Sequence, residues 1–265
     1  MKQKNLYLKN YKNLKVLVTG TTGFKGAWLA NWLNILGAKV IGVALKPEKD
    51  SILFNSFKLH KKIKQYFFDI TNFNKLDNII KKNKPDIIFH LAAQPLVIES
   101  YLNPVETWST NVMGTISILE AARSLNKKAI FIGITTDKVY QNNEWIYSYR
   151  ENDRLGGDDP YSSSKAASEL AIHAWKKSFA SNSKLIISSA RAGNVIGGGD
   201  YAKDRIIPDI IRSFKNDSSL NLRNPNSTRP WQHVLEPLWG YILLAEKMSS
   251  NPEISDAYNF GPEVS

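Results

Sequence analysis

The sequence contains no cysteine, and this absence excludes disulfide bonds, thiolate catalysis and cysteine-bound zinc. Long apolar runs are also missing. None could cross a bilayer, and the opening residues MKQKNLYLKNYKNLK lack the uninterrupted apolar stretch of a signal peptide. Histidines and carboxylates do not cluster with metal spacing, so we expect no metal and assign His90 and His233 structural roles. Together these absences predict a cytoplasmic protein that does not associate with a membrane.

Acidic residues are fewer than basic ones, since the 265 residues carry a formal net charge of +11. A basic surface can attract nucleic acid, anionic membranes or phosphorylated substrates. Here the lysines are scattered along the whole chain, and no nucleic-acid-reading motif accompanies them. We therefore interpret the excess charge as compositional bias on solvated faces and expect no nucleic-acid partner. The length suits one large α/β domain, or a domain with a small appendage.

Apolar strand-like segments alternate with helical ones over most of the chain. Residues 16–19 form a β-branched run, residues 24–36 have helical spacing, and residues 39–45 read as a second strand, so this region predicts a βαβ unit. Further strands are predicted at 66–70, 86–93, 129–135 and 184–191, with helices over 72–83, within 104–126 and over 160–180. This alternation predicts an α/β fold with a doubly wound parallel sheet covered on both faces. After Asn194 the segments become glycine-rich and short, which predicts a smaller, irregular lobe.

A glycine-rich turn, TGTTGFKG, joins the first predicted strand to the first helix. Gly20, Gly23 and Gly26 would let backbone N–H groups approach a pyrophosphate at the helix N-terminus. The spacing is G-x-x-G-x-x-G rather than G-x-G-x-x-G, but its βαβ context indicates a dinucleotide site. The acidic residue that usually holds the adenine-side ribose is missing, and Lys46 stands near its place. This position leaves the choice between NAD and NADP open.

Tyr161 and Lys165 lie in the string DDPYSSSK, in which an aspartate can cap a helix and the proline suits its first turn. Being four residues apart, the two side chains share one helical face. A free tyrosine has a pKa of about 10, and a base near neutral pH needs a value lower by roughly three units. A nearby ammonium and a cationic nicotinamide could stabilise the phenolate. The alternative is a surface tyrosine and lysine that lie one turn apart by chance.

The string FIGITTDKVY places Thr136, Asp137 and Lys138 directly after a buried strand. At the carboxyl end of a parallel strand these side chains would point into a ligand crevice. A hydroxyl, a carboxylate and an amine side by side could serve proton transfer. The alternative is a solvated loop in which the aspartate and the lysine form a salt bridge.

Five strings occur in an order that resembles the extended short-chain dehydrogenase/reductase family: TGTTGFKG, HLAAQPLV, TTDKVY, YSSSK and RAGNVIGGGD. Longer strings, among them DPYSSSKAASEL and RPWQHVLEPLWGY, resemble its CDP-glucose group of nucleotide-sugar 4,6-dehydratases. The resemblance runs from about Val16 to AYNFGPE. It implies a Rossmann-type NAD-binding domain over 1–194. Residues 195–265 would form a small, incomplete C-terminal substrate lobe, since the family continues well past the equivalent of NFGPE.

The resemblance also implies NAD as cofactor and a set of residues around it. Gly20, Gly23, Phe24 and Gly26 would surround the pyrophosphate, Asp69 and Ile70 would meet the adenine, Leu91, Ala92 and Ala93 would line the cofactor channel, and Tyr161, Lys165 and Arg191 would lie by the nicotinamide. Weaker candidates for the nucleotide-sugar substrate are Gln94, Asn194, Arg205, Arg223 and Arg229, because amides and guanidinium groups suit hydroxyl and phosphate oxygens.

The activity that the resemblance implies is a lyase reaction, from CDP-glucose to CDP-4-dehydro-6-deoxy-D-glucose and water. Tyr161 would take the proton of the 4-hydroxyl with help from Thr136, Asp137 would act as the acid at C6, and Lys138 as the base at C5. Three alternatives stay open: a dehydratase for another nucleotide sugar, a 4-epimerase, or an NAD-binding fragment with impaired catalysis. By analogy with relatives, helices around 105–125 and 161–179 would pair in a homodimer.

Overall fold

The structure, a computed structural model, describes residues 11–48, 51–179, 182–222 and 225–262. Within these ranges the strands are β1 Lys15–Thr19, β2 Lys39–Ala44, β3 Lys64–Phe67, β4 Ile87–His90, β5 Ala129–Thr136, β6 Leu185–Ala192, β7 Val195–Ile196, β8 Gln232–His233 and β9 Ala257–Phe260. The helices are α1 Phe24–Ile35, α2 Ile52–Ser56, α3 Leu59–Lys62, α4 Phe73–Asn83, α5 Val97–Leu102, α6 Pro104–Trp108, α7 Gly114–Arg123, α8 Pro160–Phe179, α9 Ile206–Lys215 and α10 Leu235–Ser250.

The central sheet is parallel throughout its described strands, in the order β3-β2-β1-β4-β5-β6-β9, and β7 and β8 form a separate parallel pair. Val16 in β1 lies opposite both Val40 in β2 and Ile87 in β4. The strand order reverses between β1 and β4. In doubly wound sheets, ligands bind outside the carboxyl ends of the strands at this switch point. The predicted fold, an α/β protein with a doubly wound parallel sheet, is confirmed.

Helices cover both faces of the sheet because successive residues of each strand point to opposite sides. Val16 and Val18 of β1 belong to an apolar cluster with α1 and α10. Leu17, between them, belongs to a second cluster with α4, α7 and α8. Each fully buried aliphatic side chain contributes about 1.5–3 kcal/mol, so these two clusters hold the carboxyl ends of the strands in fixed positions.

Part of the predicted C-terminal lobe shares the main core. In α10, Leu238 and Tyr241 are fully buried against the first cluster, and β9 pairs with β6 so that Asn259 lies opposite Arg191. The boundary at Asn194 stays a prediction. The structure adds that α10 and β9 complete the sheet and its cover, whereas β7 and β8 form a separate sheet.

Three predicted elements differ in detail from those observed, and one of them is the strand expected at 86–93, which ends earlier, as β4 Ile87–His90. The long helix expected within 104–126 consists of α6, a π-helical turn Ser109–Met113 and α7. The π-helical turn allows the buried Asn111 to donate to Ser164 Oγ at 2.9 Å and to the carbonyl of Gln94 at 3.2 Å. The strand expected at 66–70 begins and ends earlier, as β3. No helix in the described part of the chain is long and apolar enough to span a bilayer.

Candidate active site

In the glycine-rich turn between β1 and α1, the N–H of Gly20 donates to the Val43 carbonyl at 2.8 Å and that of Gly23 to the Gly20 carbonyl at 3.0 Å, so the open N–H groups are those at the start of α1. Gly20 has a φ of +77°, and a Cβ there would lie 3.0 Å from the amide nitrogen of Ala92. A Cβ on Gly26 would come within 2.0 Å of the Gly20 carbonyl oxygen, so α1 can pack on the turn only with glycine at this position. α1 begins at Phe24, after Gly23, with no capping side chain and no acidic residue in its first turn. The free N–H groups and the positive helix end fit a pyrophosphate.

A buried hydrogen-bond chain holds the loop after β4 against this turn. Thr19 Oγ1 accepts from the N–H groups of Leu91 at 3.0 Å and Ala92 at 2.9 Å, so its own proton goes to Nδ1 of His90 at 2.9 Å. His90 therefore carries its proton on Nε2, which donates to Thr115 Oγ1 at 3.1 Å. These hydrogen bonds fix the ends of β1 and β4 relative to each other.

The residues predicted to line the cofactor channel, Leu91, Ala92 and Ala93, are half-buried in this loop. Burial, and then the charge of Lys165, lower the pKa of His90 to about 3, so the ring stays neutral and the hydrogen-bond chain is intact at physiological pH. The structural role predicted for His90 agrees with this position, and the loop that it supports lies beside the glycine-rich turn.

The predicted adenine contacts lie after β3, at the same edge of the sheet. Asp69 Oδ1 accepts hydrogen bonds from the N–H of Thr71 at 2.8 Å and from its hydroxyl at 2.7 Å. Ile70 is buried against α7, where a Cβ on Gly114 would lie 2.6 Å from its Cγ2. Phe67, at the end of β3, is 41% exposed. At the carboxyl end of β3 there is thus a turn fixed by hydrogen bonds, next to an exposed aromatic side chain.

Thr136, Tyr161 and Lys165 come together where β5 ends and α8 begins. The Thr136 hydroxyl acts to lower the pKa of Tyr161, and the buried Lys165 donates from Nζ to the carbonyl of Ile134 in β5 at 2.9 Å. Asp159 Oδ1 accepts from an N–H in the first turn of α8 at 2.9 Å, as expected of a capping residue. The cap and the Lys165 bond together fix the start of α8 against the end of β5.

Burial dominates the acid–base properties of these groups. It raises the pKa of Tyr161 to about 12, although the Thr136 hydroxyl and the charge of Arg205 act to lower it. It also lowers the pKa of Lys165 to about 8, against the opposing charge of Glu169. The protein without a ligand therefore moves the pKa of Tyr161 away from neutrality. A base near neutral pH needs a lower pKa, and positive charge on a bound ligand must supply that decrease.

Asp137 and Lys138 form a 3.6 Å ion pair in the 3-10 turn that follows β5, and each side chain is about one third exposed. Thr136 Oγ1 donates to Asp137 Oδ1 at 2.9 Å. An ion pair of this kind also suits the alternative of a solvated loop. What distinguishes this loop is its position, because Thr136 connects the ion pair directly to Tyr161.

Two of the predicted substrate residues lie at the site. Arg205 pairs with Asp200 at 2.8 Å, and its charge acts on Tyr161. Asn194, just past β6, has a buried Oδ1 without a hydrogen-bond partner among the described residues. A buried acceptor of this kind indicates a ligand or a water.

The other predicted substrate residues have different surroundings. Gln94 uses its amide within its own loop, where Nε2 donates to the Leu96 carbonyl at 3.0 Å and to Thr107 Oγ1 at 2.9 Å. Arg229 is exposed and donates to the neighbouring carbonyl of Thr228. Arg223 lies outside the described residues.

Arg191 lies beneath α8 and is almost fully buried. Its Nη2 donates to Glu169 Oε2 at 2.7 Å and its Nη1 to the Tyr140 hydroxyl at 2.8 Å. Glu169 also accepts from Ser189 at 2.8 Å and from Thr135. The nicotinamide contact predicted for Arg191 stays a prediction, and the structure shows that its guanidinium is held inside the protein by this network.

Sequence reasoning missed Glu169 and Lys25, and one of them carried a signal. Glu169 follows Lys165 by four residues, so both lie on the buried face of α8. A carboxylate on a buried helix face requires a partner. Lys25, inside the glycine-rich turn, has no such signal, because its neighbours at the site come from distant parts of the chain.

Comparison with known proteins places the chain among nucleotide-sugar enzymes. A family profile described as "GDP-mannose 4,6 dehydratase" matches residues 17–256. The chain belongs to this family. It is 49% identical over 261 residues to CDP-glucose 4,6-dehydratase of Salmonella typhimurium, covering 96% of this chain and 73% of that protein. It is 30% identical over 264 residues to dTDP-D-glucose 4,6-dehydratase of Dictyostelium discoideum, covering 94% and 58%.

Solved structures share the fold of this dehydratase family member. The dTDP-glucose 4,6-dehydratase DesIV from Streptomyces venezuelae, with NAD and TYD bound, superposes with a TM-score of 0.81 at 22% identity, covering 95% of this chain and 76% of that one. The UDP-glucuronic acid 4-epimerase from Bacillus cereus, in complex with UDP-glucuronic acid and NAD, gives 0.81 at 24%, covering 95% and 78%. The resemblance to extended short-chain dehydrogenases is confirmed.

Proposed function

We propose that the chain is a nucleotide-sugar 4,6-dehydratase that converts CDP-glucose to CDP-4-dehydro-6-deoxy-D-glucose and water. The observation that carries the proposal is the convergence of Thr136 and Tyr161 with the Asp137–Lys138 pair at the carboxyl edge of the sheet. The 49% identity to CDP-glucose 4,6-dehydratase of Salmonella typhimurium supports this substrate.

NAD fits the residues present. The open N–H groups at the start of α1 and the close approach at Gly20 and Gly26 suit its pyrophosphate. When bound, NAD supplies a hydride acceptor and donor together with a positive charge on the nicotinamide. Two relatives of the same fold are crystallised with NAD, which supports the choice that Lys46 leaves open.

The roles of the chain's own residues follow from their positions. Tyr161 takes the proton of the 4-hydroxyl, and Thr136 shares the hydrogen bond to that oxygen. A proton shift within the pair, from the Lys138 ammonium to the Asp137 carboxylate, lets Lys138 remove the proton from C5 and lets Asp137 donate a proton to the departing 6-hydroxyl. Both groups lie one third exposed at the sheet edge, where a hexose can reach them. Arg205 and Asn194 bind the substrate's polar groups.

Mass spectrometry of products from a panel of nucleotide-glucoses tests this function. CDP-glucose should yield the 4-keto-6-deoxy product without net NADH. A product that keeps its 6-hydroxyl would point to a 4-epimerase instead, and preference for another nucleotide would correct the substrate.

A variant of Lys138 tests the assignment of the base. Lys138→Ala should abolish elimination but leave some oxidation at C4, visible as NADH absorbance, because Tyr161 and Thr136 remain. Lys82→Ala, on the exposed face of α4, is the matched control and should behave as the wild type. Unchanged dehydration in Lys138→Ala would remove this role.

We also infer a homodimer that pairs α5, α6 and α8. Apolar side chains are exposed on these helices: Tyr101 at 63%, Leu102 at 70%, Val105 at 82% and Leu170 at 59%. These helices contact one another, and exposed apolar side chains on neighbouring helices are typical of an interaction site. Val105→Glu should shift the molecular mass measured by sedimentation equilibrium from dimer to monomer, and a monomeric wild type would contradict the inference. The cytoplasmic location stays a prediction from the sequence.

A further inference from the structure

Lys25 occupies the first turn of α1, between Gly23 and Gly26, and the proposed mechanism gives it no role. Its side chain is partly buried. Its amine makes no hydrogen bond or close ion pair with any residue that the structure describes. A partly buried amine without a partner is costly, because burial disfavours the charged form.

The charged groups that face Lys25 come from three other parts of the fold. Arg205 precedes α9, Asp137 and Lys138 lie in the turn after β5, and Lys165 lies in α8. Burial, followed by the charge of Arg205, lowers the pKa of the Lys25 amine to about 8, although Asp137 acts in the opposite direction. The immediate surroundings of Lys25 therefore hold more positive than negative charge.

Packing between α1 and the glycine-rich segment after β7 accounts for the electrostatic interaction between Lys25 and Arg205. Trp28 Nε1 donates to the carbonyl of Gly198 at 3.0 Å. A Cβ on Gly197 would lie 3.3 Å from the ring of Phe24. The first turns of α1 thus hold the segment that leads directly to Arg205.

The carboxylates at the site are already used. Asp137 pairs with Lys138 at 3.6 Å, and Asp200 pairs with Arg205 at 2.8 Å. Lys25 and Arg205 carry like charges that repel each other, and the charge of Arg205 lowers the pKa of the Lys25 amine. Such an arrangement is stable when an anion binds both cations.

We propose that Lys25 and Arg205 together bind a diphosphate group, with Lys25 connecting it to the glycine-rich turn. The proposal rests on the proposed function, which offers two sources of a diphosphate, the cofactor and the nucleotide sugar. An ammonium gives a compact charge and a guanidinium gives a fork of N–H donors, and phosphate oxygens accept from both.

Calorimetric titration of three variants tests the proposal, with NAD and with CDP as separate ligands. Lys25→Met should weaken binding of at least one ligand by about 10- to 100-fold. Lys25→Arg, which keeps the charge, should stay within a few-fold of the wild type. Lys39→Met changes an exposed lysine at the amino-terminal end of β2, away from the carboxyl ends of the strands, and should have no effect.

The two titrations distinguish the source of the diphosphate. If only NAD binding weakens, Lys25 binds the diphosphate of the cofactor. If only CDP binding weakens, it binds the diphosphate of the nucleotide sugar. If both weaken, Lys25 lies between the two ligands. Wild-type affinity of Lys25→Met for both ligands would overturn the proposal and leave the proposed function standing. A wild-type protein that binds neither ligand would overturn the proposed function itself.

Proton uptake gives a second readout that a purely structural role would not change. Near pH 8 about half of the Lys25 amines are neutral, given a pKa of about 8. A diphosphate favours the ammonium, so binding should take up protons, measured by repeating the titration in buffers of different ionisation enthalpy. Lys25→Arg should keep its affinity but take up fewer protons, while any uptake by Lys165 is common to both proteins. Equal uptake in the two proteins would contradict the proposal.

Discussion

Two charged clusters flank the end of β5, and they differ in how their members are paired. On the α8 side, Arg191 and Glu169 are 5% and 3% exposed and bind each other at 2.7 Å. On the α1 side, the Asp137–Lys138 pair is looser and one third exposed, and the amine of Lys25 has no close partner among the described residues. The first cluster satisfies its charges internally, whereas the second retains an excess of positive charge.

This difference indicates which cluster supports the fold and which one binds ligands. Burying a charge costs several kcal/mol unless a partner and further hydrogen bonds compensate, and Thr135 and Ser189 supply such bonds to Glu169. The cluster on the α1 side is partly exposed, so its charges keep part of their hydration and the cost of burying them is smaller. It can keep unpaired cations for an anionic ligand, which then completes the pairing.

The largest effect is expected where Tyr161 meets the less paired cluster. Tyr161→Phe should reduce kcat about 10²- to 10⁴-fold, because it removes the proton acceptor, and should leave the thermal unfolding midpoint nearly unchanged. Product formation from CDP-glucose and a thermal melt are the two measurements. Tyr147→Phe, at a 51% exposed position, is the control. A variant that kept more than a tenth of wild-type kcat would place the chemistry elsewhere.

The paired cluster is tested through Arg191. Arg191→Met should lower the free energy of unfolding by about 3–5 kcal/mol, since it leaves Glu169 buried without its partner. Urea denaturation measures the loss. The double variant with Glu169→Gln should lose less than the sum of the single variants. If Arg191 instead contacts the nicotinamide, as the family resemblance predicts, the single variant would lose NAD affinity with little change in stability.

The buried histidine beneath the cofactor loop should make the fold sensitive to acid. His90 has a pKa of about 3 in the folded chain and about 6.5 when unfolded, so the unfolded state binds more protons between these values. Stability is therefore lost as the pH falls below 6.5, by about 3 kcal/mol at pH 4. His90→Gln should be less stable than the wild type at pH 7 but should lose less on acidification. Parallel pH profiles of the two proteins would contradict this account.

The smallest effect is expected at a surface pair with the same separation as the buried one. Lys81 and Asp77 in α4 also lie 2.7 Å apart, but the lysine side chain is 58% exposed. Asp77→Asn should change the free energy of unfolding by no more than about 0.5 kcal/mol, again measured by urea denaturation. A loss comparable to that of Arg191→Met would show that burial is not what separates the two kinds of pair.

The fold and part of the site could be predicted from the sequence because their signals are local. The glycine spacing of Gly20 to Gly26, the strand that ends at Thr136 and the four-residue spacing of Tyr161 and Lys165 each lie within one segment. Parallel-sheet topology then brings the ends of these segments to one edge. β9 was harder to predict, since its pairing with β6 depends on a distant strand.

The contacts that could not be predicted depend on packing between distant residues. The charge of Arg205 acts on Lys25 because α1 packs on the glycine-rich segment after β7. Gln94 follows a strand end, as a ligand contact would, but its amide makes hydrogen bonds to nearby protein groups instead. Motif position gives the location of a side chain along the chain, and it does not give the partners that the folded state offers to that side chain.

The π-helical turn Ser109–Met113 sets the rotational phase between two stretches of helix. One extra residue in this turn keeps Asn111 directed at the loop after β4 while Ile118 and Leu119 stay in the core. Deleting a single residue there would restore regular α-helical winding with the flanking phases kept, but it would remove the wide turn that carries Asn111 towards the loop after β4. The number of residues in this turn therefore decides whether the Asn111 amide can reach the backbone of Gln94 and the hydroxyl of Ser164.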